Sequence, residues 1–253
     1  MNMKVAYGEK FYSDMNDSNL SSARTVVPIT LDLLGGVTSV VDVGCGRGLW
    51  LKAFLENKVT NIFGVDGDWV NQEDLVIPGN CFSTRKLDEN FLVGKSADLA
   101  ISLEVAEHVP ESSADNFVLE LTKTAPVILF SAAIPGQGGT NHLNEQWPSY
   151  WESKFKECGY VPIDALRRLI WNNKDVAFFY AQNTFFFVKE SEVDKYPKLK
   201  GDLVNGFGEC LPYVHPVLFE RAVEDASRWK LVVPYVKYLP MSLIKYIKKI
   251  LKG

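Results

Sequence analysis

The sequence predicts an α/β fold with a doubly wound, mostly parallel, seven-stranded sheet, an antiparallel C-terminal hairpin and a helical appendage. Two observations lead to this prediction. Short β-branched runs alternate with amphipathic segments from Thr38 onward, which is the rhythm of βαβ units. A glycine-rich turn follows the first run, as it does at the ligand-binding edge of such sheets.

The elements follow in chain order. A polar lead-in covers residues 1–36, with one helix predicted over Ser21–Leu34. Strands are predicted at Val40–Val43, Asn61–Val65, Cys81–Thr84, Asp98–Ser102 and Val127–Ala132, with helices at Leu49–Glu56, Ala114–Thr122 and Trp151–Cys158. Further strands are predicted at Tyr160–Leu166, Val176–Gln182 and Thr184–Lys189, the last two as the hairpin. The main domain is therefore expected over 37–190 and the appendage over 191–253.

Composition limits the function classes. The chain has 253 residues, 47% of them hydrophobic, and a net charge of −4. No general basic field favours a nucleic-acid partner. The four cysteines lack metal-binding or CxxC spacing, which is typical of reduced thiols. No signal-peptide pattern or membrane-length apolar run is visible, so a cytoplasmic protein is expected.

The strongest motif is VVDVGCGRG, residues 40–48. Gly44, Gly46 and Gly48 let the backbone approach a ligand that a Cβ would exclude. Asp42, two residues before the first glycine, suits a ligand amine. Asp66 ends the next strand, where a carboxylate can accept hydrogen bonds from ribose hydroxyls.

Together with FGVDGDWV and ADLAISLEVAEHVP, this motif resembles the class I S-adenosylmethionine (SAM) dependent methyltransferases, a Rossmann-like family. The resemblance covers about 37–189. A nicotinamide-binding protein is the main alternative, but its G-x-G-x-x-G pattern fits less well, because the third glycine comes one residue early. The resemblance implies SAM as cofactor, and it places the cofactor site at Asp42, Gly44, Cys45, Gly46, Gly48, Asp66, Gly67, Asp68, Trp69, Leu87, Asp88, Leu103 and Glu104.

Within that set, the glycine turn would hold the methionine moiety and Asp42 its ammonium group. Asp66 would hold the ribose, and the 67–69 segment would flank the adenine. Trp69 has an alternative role in plain core packing. The family's Asp-Leu pair after the third strand is replaced here by Lys86-Leu87, so either a shifted loop lets Asp88 serve instead or backbone groups meet the adenine amine.

The acceptor end is predicted from two segments that follow later strands. His108 follows the fourth strand, where it either acts chemically or has a structural role, capping the next helix or binding a backbone carbonyl. The loop after the fifth strand, residues 131–151, is rich in glycine and then in polar and aromatic residues. Its His142, Asn144, Glu145 and Trp147 would bind a hydroxylated acceptor, unless the loop merely closes over the core. His142 is the first candidate for the general base, with His108 and Glu145 as alternates. A divalent metal that lowers the pKa of the acceptor hydroxyl is an open alternative, because carboxylates are plentiful here, but no spacing demands one.

The loop and the later DALRRLIWNN and FFYAQNTFFFV segments look like a bacterial and viral branch of the family that is associated with glycan assembly. The predicted function is therefore O-methylation of a sugar hydroxyl in a glycan or polysaccharide precursor. Two alternatives remain open: a methyltransferase for another small metabolite, and a non-catalytic scaffold with the SAM-binding fold.

The C-terminal segment carries a second pattern. SLIKYIKKILKG, residues 242–253, places apolar residues on one helical face and lysines opposite. Such a basic amphipathic helix can lie on an anionic membrane. A helix docked on the domain with solvated lysines fits the same pattern.

Overall fold

The computed structural model describes residues 9–89, 91 and 96–236, with side chains for 18–89, 91 and 96–227. The chain divides into two compact units, Met1–Tyr213 and Val214–Gly253. The predicted basic helix near the C-terminus lies outside the described residues.

The first unit is built on a mixed sheet of seven strands in the described residues, in the order β3-β2-β1-β4-β5-β7-β6. The strands are β1 Ser39–Val43, β2 Asn61–Asp66, β3 Phe82–Thr84, β4 Leu99–Leu103, β5 Val127–Ser131, β6 Tyr160–Ile163 and β7 Phe185–Lys189. Only β7 runs against its neighbours, β5 and β6. The predicted fold class is confirmed.

Helices and turns connect these strands. The first unit contains α1 Glu9–Leu34, α2 Leu49–Glu56, α3 Ala114–Thr122, α4 Pro148–Glu157, α5 Arg167–Ile170, α6 Phe178–Asn183 and α7 Pro197–Val204. Short 3₁₀ turns lie at Gln72–Asp74, Gly79–Cys81, Ala106–His108, Glu111–Ser113 and Glu190–Lys195. The second unit contains α8 Pro216–Val236. No helix in these described ranges is long and apolar enough to span a membrane.

The two faces of the sheet bury separate cores, because successive side chains of a strand point to opposite faces. In β1, Val40 joins one core, while Val41 and Val43 join the other. The first core packs against α1, α2, α5, α6 and α7, and the second packs against α3 and α4. Every residue of β1, β4 and β5 is buried, as expected for strands covered on both faces.

One predicted strand is wrong. Val176–Gln182 is not a strand, because α6 occupies Phe178–Asn183. The Tyr180 ring lies edge-on to Trp50, with centroids 5.0 Å apart, and its hydroxyl accepts a hydrogen bond from the Trp50 indole N–H. Aromatic residues are frequent in strands because of the neighbours they pack against there. Here Tyr180 packs against Trp50 of α2. The antiparallel pair of the C-terminal part is instead β6 with β7, where Ile163 faces Phe186.

The parallel strands carry the site at one edge of the sheet. β1, β2, β4 and β5 all end there, and the segments that follow them are the glycine turn, Asp66 to Trp69, the Glu104–His108 segment and the 131–147 loop. Ligands in doubly wound sheets bind at this edge, outside the carboxyl ends of the strands.

Candidate active site

The glycine turn after β1 needs its glycines for two reasons. Gly44, Gly46 and Gly48 have φ angles of 85°, 52° and 85°, a region that costs other residues about 1–2 kcal/mol. A Cβ on Gly44 would lie 2.3 Å from the side chain of Val105, and one on Gly48 would lie 2.8 Å from that of Ile77. A Cβ on Gly46 would meet nothing within 4 Å, so the turn has open space beside its middle glycine.

Asp66 closes this turn at the end of β2. Its buried carboxylate accepts hydrogen bonds of 2.6 Å from the backbone N–H groups of Gly46 and Gly67. Burial raises its pKa, although these two bonds and one from the Trp69 side chain oppose the rise. The Trp69 ring covers Gly67, where a Cβ would lie 2.2 Å from the ring. Trp69 is 45% exposed, so it is not a core residue, and the neighbouring Asp68 is exposed as well.

Asp42 is a buried carboxylate one residue before the end of β1. Its Oδ2 has no hydrogen-bond partner in the part of the chain that the structure describes. Burial, and then the nearby Asp66, raise the pKa of Asp42 well above its ordinary value. A buried acid of this kind favours a proton or a cationic group of a ligand.

The remaining cofactor candidates have different surroundings. Cys45 is buried, with its thiol against the backbone of Gly64, and burial raises the pKa of that thiol. Leu87 and Leu103 are buried core residues. Asp88 is exposed on the turn that follows β3.

Glu104 follows β4 in a left-handed conformation, with φ of 56°. Its carboxylate accepts from the side-chain amides of Gln137, at 2.7 Å, and Asn183, at 3.1 Å. Burial raises its pKa to about 7, against the effect of these hydrogen bonds. Gln182 donates to Asn183 and to Gln137, which completes an amide network around the acid. The sequence did not indicate the three amides.

Four acceptor-side residues lie together, and we call them the histidine cluster: Glu107, His108, His142 and Glu145. His142 Nδ1 lies 2.8 Å from Glu145 Oε1, and His142 Nε2 lies 4.0 Å from Glu107 Oε1. The two imidazole rings meet edge-on, with centroids 4.9 Å apart. The surface of His108 is partly open to solvent, but the protein packed around its imidazole removes enough water to lower its pKa.

Backbone contacts hold this cluster in place. Glu145 accepts from the N–H groups of Gly136 and Gly138, each at 2.8 Å. The carbonyl of Glu107 accepts from the N–H groups of Leu143 and Asn144, at 2.8 and 3.0 Å. The 131–147 loop is thereby joined to the segment after β4, and this explains why residues 35 positions apart share one site.

Glu107 is the second buried acid of the site. Its Oε2 has no hydrogen-bond partner within the described residues. Burial raises the pKa of Glu107, and repulsion from Glu104 and Glu145 adds to the effect. The sequence pattern singled out its neighbours Glu104 and His108 more strongly, and only the fold shows that Glu107 points into the cluster.

Asn144 and Trp147 lie beside the cluster without joining it. The buried Asn144 accepts from the Gln146 side-chain amide at 2.9 Å, and its own Nδ2 has no partner in the described ranges. Trp147 stands at the N-terminus of α4 and is 43% exposed. Trp151, by contrast, is buried against Phe130, so only part of the loop closes over the core.

This fold, with its glycine turn and the acid that ends β2, defines a SAM-binding α/β enzyme. The model of a methyltransferase domain family matches residues 18–173, and the chain belongs to that family. It is a SAM-dependent methyltransferase. A comparison with curated proteins gave no match.

Solved structures share this fold at low sequence identity. An O-methyltransferase family protein from Burkholderia thailandensis is 13% identical, with a TM-score of 0.53; the match covers 74% of this chain and 61% of that protein. The sugar N-methyltransferase KedS8 from Streptoalloteichus is 15% identical, with a TM-score of 0.53 and coverage of 73% and 96%. SAM-bound CalS10, an amino pentose methyltransferase from Micromonospora echinaspora, is 11% identical, with a TM-score of 0.53 and coverage of 72% and 98%.

Proposed function

We propose that this enzyme transfers the methyl group of SAM to a hydroxyl of a sugar in a glycan or polysaccharide precursor. The observation that supports the proposal most is the histidine cluster, which puts proton-accepting side chains at the cofactor edge of the sheet. Two enzymes with the same fold act on sugars by description, the sugar N-methyltransferase KedS8 and the amino pentose methyltransferase CalS10, and they support the sugar but not the choice of a hydroxyl. The exposed Trp147, two residues after Glu145 in the chain, suits the apolar face of a sugar ring.

The cofactor residues keep the roles that the family resemblance implied. The open space beside Gly46 receives the methionine moiety, and Asp42 compensates the charge of its ammonium group. Asp66 has further lone pairs for the ribose hydroxyls besides those used by Gly46 and Gly67. Gly67, Asp68 and Trp69 flank the adenine, Leu87 and Asp88 line its amine side, and Cys45, Gly44, Gly48, Leu103 and Glu104 shape the rest of the pocket.

SAM supplies an activated methyl group, so the protein's task is to align the acceptor and to remove its proton. A sugar hydroxyl is neutral at pH 7 and gains about 10²–10⁴-fold from a positioned base. His142 takes the proton at Nε2, because its Nδ1 is directed at Glu145. Glu145 is held by three contacts, from His142, Gly136 and Gly138, so it positions the base instead of acting as one.

The test is transfer of a labelled methyl group from SAM to separate small-metabolite, carbohydrate, lipid, protein and nucleic-acid fractions of source cells. Label in the carbohydrate or glycolipid fraction supports the proposal. Label only in free small metabolites, with none in glycans, would replace the sugar by another acceptor. SAM binding without transfer to any fraction would favour a scaffold.

The boundaries and the tail complete the proposal. We place the catalytic domain at 37–190, with 1–36 as lead-in and 191–253 as appendage, and we place the protein in the cytoplasm. The basic segment 240–253 would bring it to an anionic membrane if the acceptor is linked to lipid. Flotation with anionic liposomes, with and without that segment, tests this contact, and equal flotation of both forms would dismiss it.

A further inference from the structure

Three side chains of the histidine cluster converge on one point. One ligand atom each from Glu107, His108 and His142 lies within 4.8 Å of the other two. Atoms bound to one cation at about 2.1 Å are about 3.0–3.4 Å apart in tetrahedral or octahedral geometry. The 4.0 Å between His142 Nε2 and Glu107 Oε1 needs only a side-chain adjustment of less than about 1 Å to reach that separation.

The two imidazoles are oriented for ligation. His108 Nδ1 lies 3.2 Å from the carbonyl oxygen of Asn141, and since a carbonyl only accepts, Nδ1 carries the proton. His142 Nδ1 faces the Glu145 carboxylate in the same way. Both rings therefore present the lone pair of Nε2. Metal-ligating histidines typically donate their other N–H to a carboxylate or a backbone carbonyl.

The carboxylate provides an independent observation. Glu107 is 1% exposed, and its Oε2 has no partner among the described residues. The carboxylate also accepts backbone hydrogen bonds from Glu107 and Ala133, but a buried carboxylate oxygen without a partner is costly unless a cation or a proton compensates it. Asn141, which supplies the carbonyl for His108, has a φ of 61°, so the loop adopts a strained conformation to complete this arrangement.

We propose that Glu107, His108 and His142 bind one divalent transition-metal ion. Two imidazoles and one carboxylate favour Mn²⁺, Fe²⁺, Co²⁺ or Zn²⁺ over Mg²⁺ and Ca²⁺, which prefer oxygen ligands alone. Three protein ligands leave open positions for a substrate oxygen. His108 is exposed, so this side of the cluster is reachable from solvent.

The chemical consequence rests on the proposed function and changes one role within it. With the ion bound, His142 Nε2 is a ligand, and the ion lowers the pKa of the acceptor hydroxyl. The hydroxyl proton passes to solvent water. The oxygen of the acceptor hydroxyl then bonds to the methyl carbon as the carbon–sulfur bond breaks, and the electron pair of that bond neutralises the sulfonium.

The experiment titrates the chelator-treated protein, without acceptor, with Co²⁺, and follows heat and visible absorption. We expect one ion per chain. We expect His108→Asn and His142→Asn to weaken binding by more than about 100-fold, since even the loss of an outer partner costs about 10–100-fold. The matched control is His215→Asn. His215 accepts from the N–H of Val217 at the start of α8, and asparagine caps helices well. This control should bind Co²⁺ as the parent does.

Glu107→Gln, whose side chain has nearly the same shape as that of the parent, serves as a third variant. SAM binding by each variant shows that it is folded. No saturable Co²⁺ binding, or equal binding by all variants, would overturn the metal site. If the chelator-treated enzyme methylated glycans as fast as the untreated enzyme, the metal would have no part in the reaction, and the proposed function would remain intact. Co²⁺ binding without any glycan methylation would retain the metal site and reject the sugar.

Discussion

His142 Nδ1 and Glu145 Oε1 are 2.8 Å apart, and this pair leaves Nε2 as the ring nitrogen of His142 that is not directed at Glu145. Glu145 is in turn held by two backbone N–H groups of the glycine-rich loop. The orientation of one imidazole thus depends on a carboxylate three residues away and on the loop conformation around it. Whether His142 acts as a base or as a metal ligand, Nε2 is the reactive atom.

Glu145→Gln tests this dependence. The amide keeps the shape but loses the charge, and its nitrogen cannot accept from Gly136 or Gly138. We expect kcat to fall about 10–100-fold, as for the loss of other orienting partners, with the SAM dissociation constant unchanged. Steady-state kinetics and calorimetry measure the two. The exposed Glu111→Gln is the control, and an unchanged kcat in Glu145→Gln would show that His142 needs no orienting carboxylate.

Substitutions of two glycines in the turn after β1 are expected to have different effects. Gly44→Ala places a Cβ against Val105, 2.3 Å away, in addition to the cost of a positive φ. We expect it to destabilise the fold by about 2–4 kcal/mol. Gly46→Ala meets open space, so we expect it to cost about 1–2 kcal/mol while weakening SAM binding more.

Urea unfolding and SAM titration of both variants separate these effects. Each variant is the matched control of the other, because both glycines have positive φ. If Gly46→Ala bound SAM as tightly as the parent, the space beside this glycine would not belong to the cofactor.

Asp66→Ala tests the ribose contact. The carboxylate lies at the end of β2, beside Gly46 and Gly67, and hydrogen bonds to a charged group contribute about 1.5–3 kcal/mol. We therefore expect the SAM dissociation constant to rise about 10–150-fold by calorimetry. Glu73→Ala, an exposed acid on the 3₁₀ turn that follows, is the control. Unaltered affinity in Asp66→Ala would exclude this residue from the cofactor site.

Much of the fold could be predicted because its signals are local. The buried runs of β1, β4 and β5 and the apolar spacing of α2 and α3 are visible without any partner. The strand predicted at Val176–Gln182 is wrong because its Tyr180 meets Trp50, 130 positions away. A helical turn meets that partner as well as a strand does. The first helix begins at Glu9, well before the predicted Ser21, because polar composition does not mark where a helix starts.

The residues of the site likewise differ in whether the sequence alone predicts their place. The glycine turn, Asp42 and Asp66 are adjacent to one strand end each, so their places follow from the sequence. The amides around Glu104 come from positions 33 and 79 residues away, and no pattern in the sequence relates them. Glu107 likewise becomes prominent only when the 131–147 loop folds back onto it.

Asp42→Asn predicts a pH-dependent change in stability. The pKa of Asp42 is raised well above its ordinary value of 3.8 in the folded protein, so the folded state binds the proton more tightly than the unfolded state. The resulting stabilisation is complete below pH 3.8 and is lost as pH rises through the folded pKa. Asparagine does not titrate. The free energy of unfolding of the parent, relative to Asp42→Asn, therefore falls by at most about 1.4 kcal/mol per pH unit in that window.

Urea unfolding of the cofactor-free proteins between pH 4 and 8 measures the difference. SAM should reverse the pH trend in this stability difference, because its ammonium group compensates the charge of Asp42 and stabilises the parent more than the variant. A difference that stays constant over this pH range would mean that Asp42 is already ionised at little cost. A reversed pH trend without SAM would mean that another cation compensates it. The Asp42 carboxylate has a buried oxygen without a partner among the described residues, so we expect it to destabilise the empty protein and to strengthen cofactor binding, and this one substitution measures both effects.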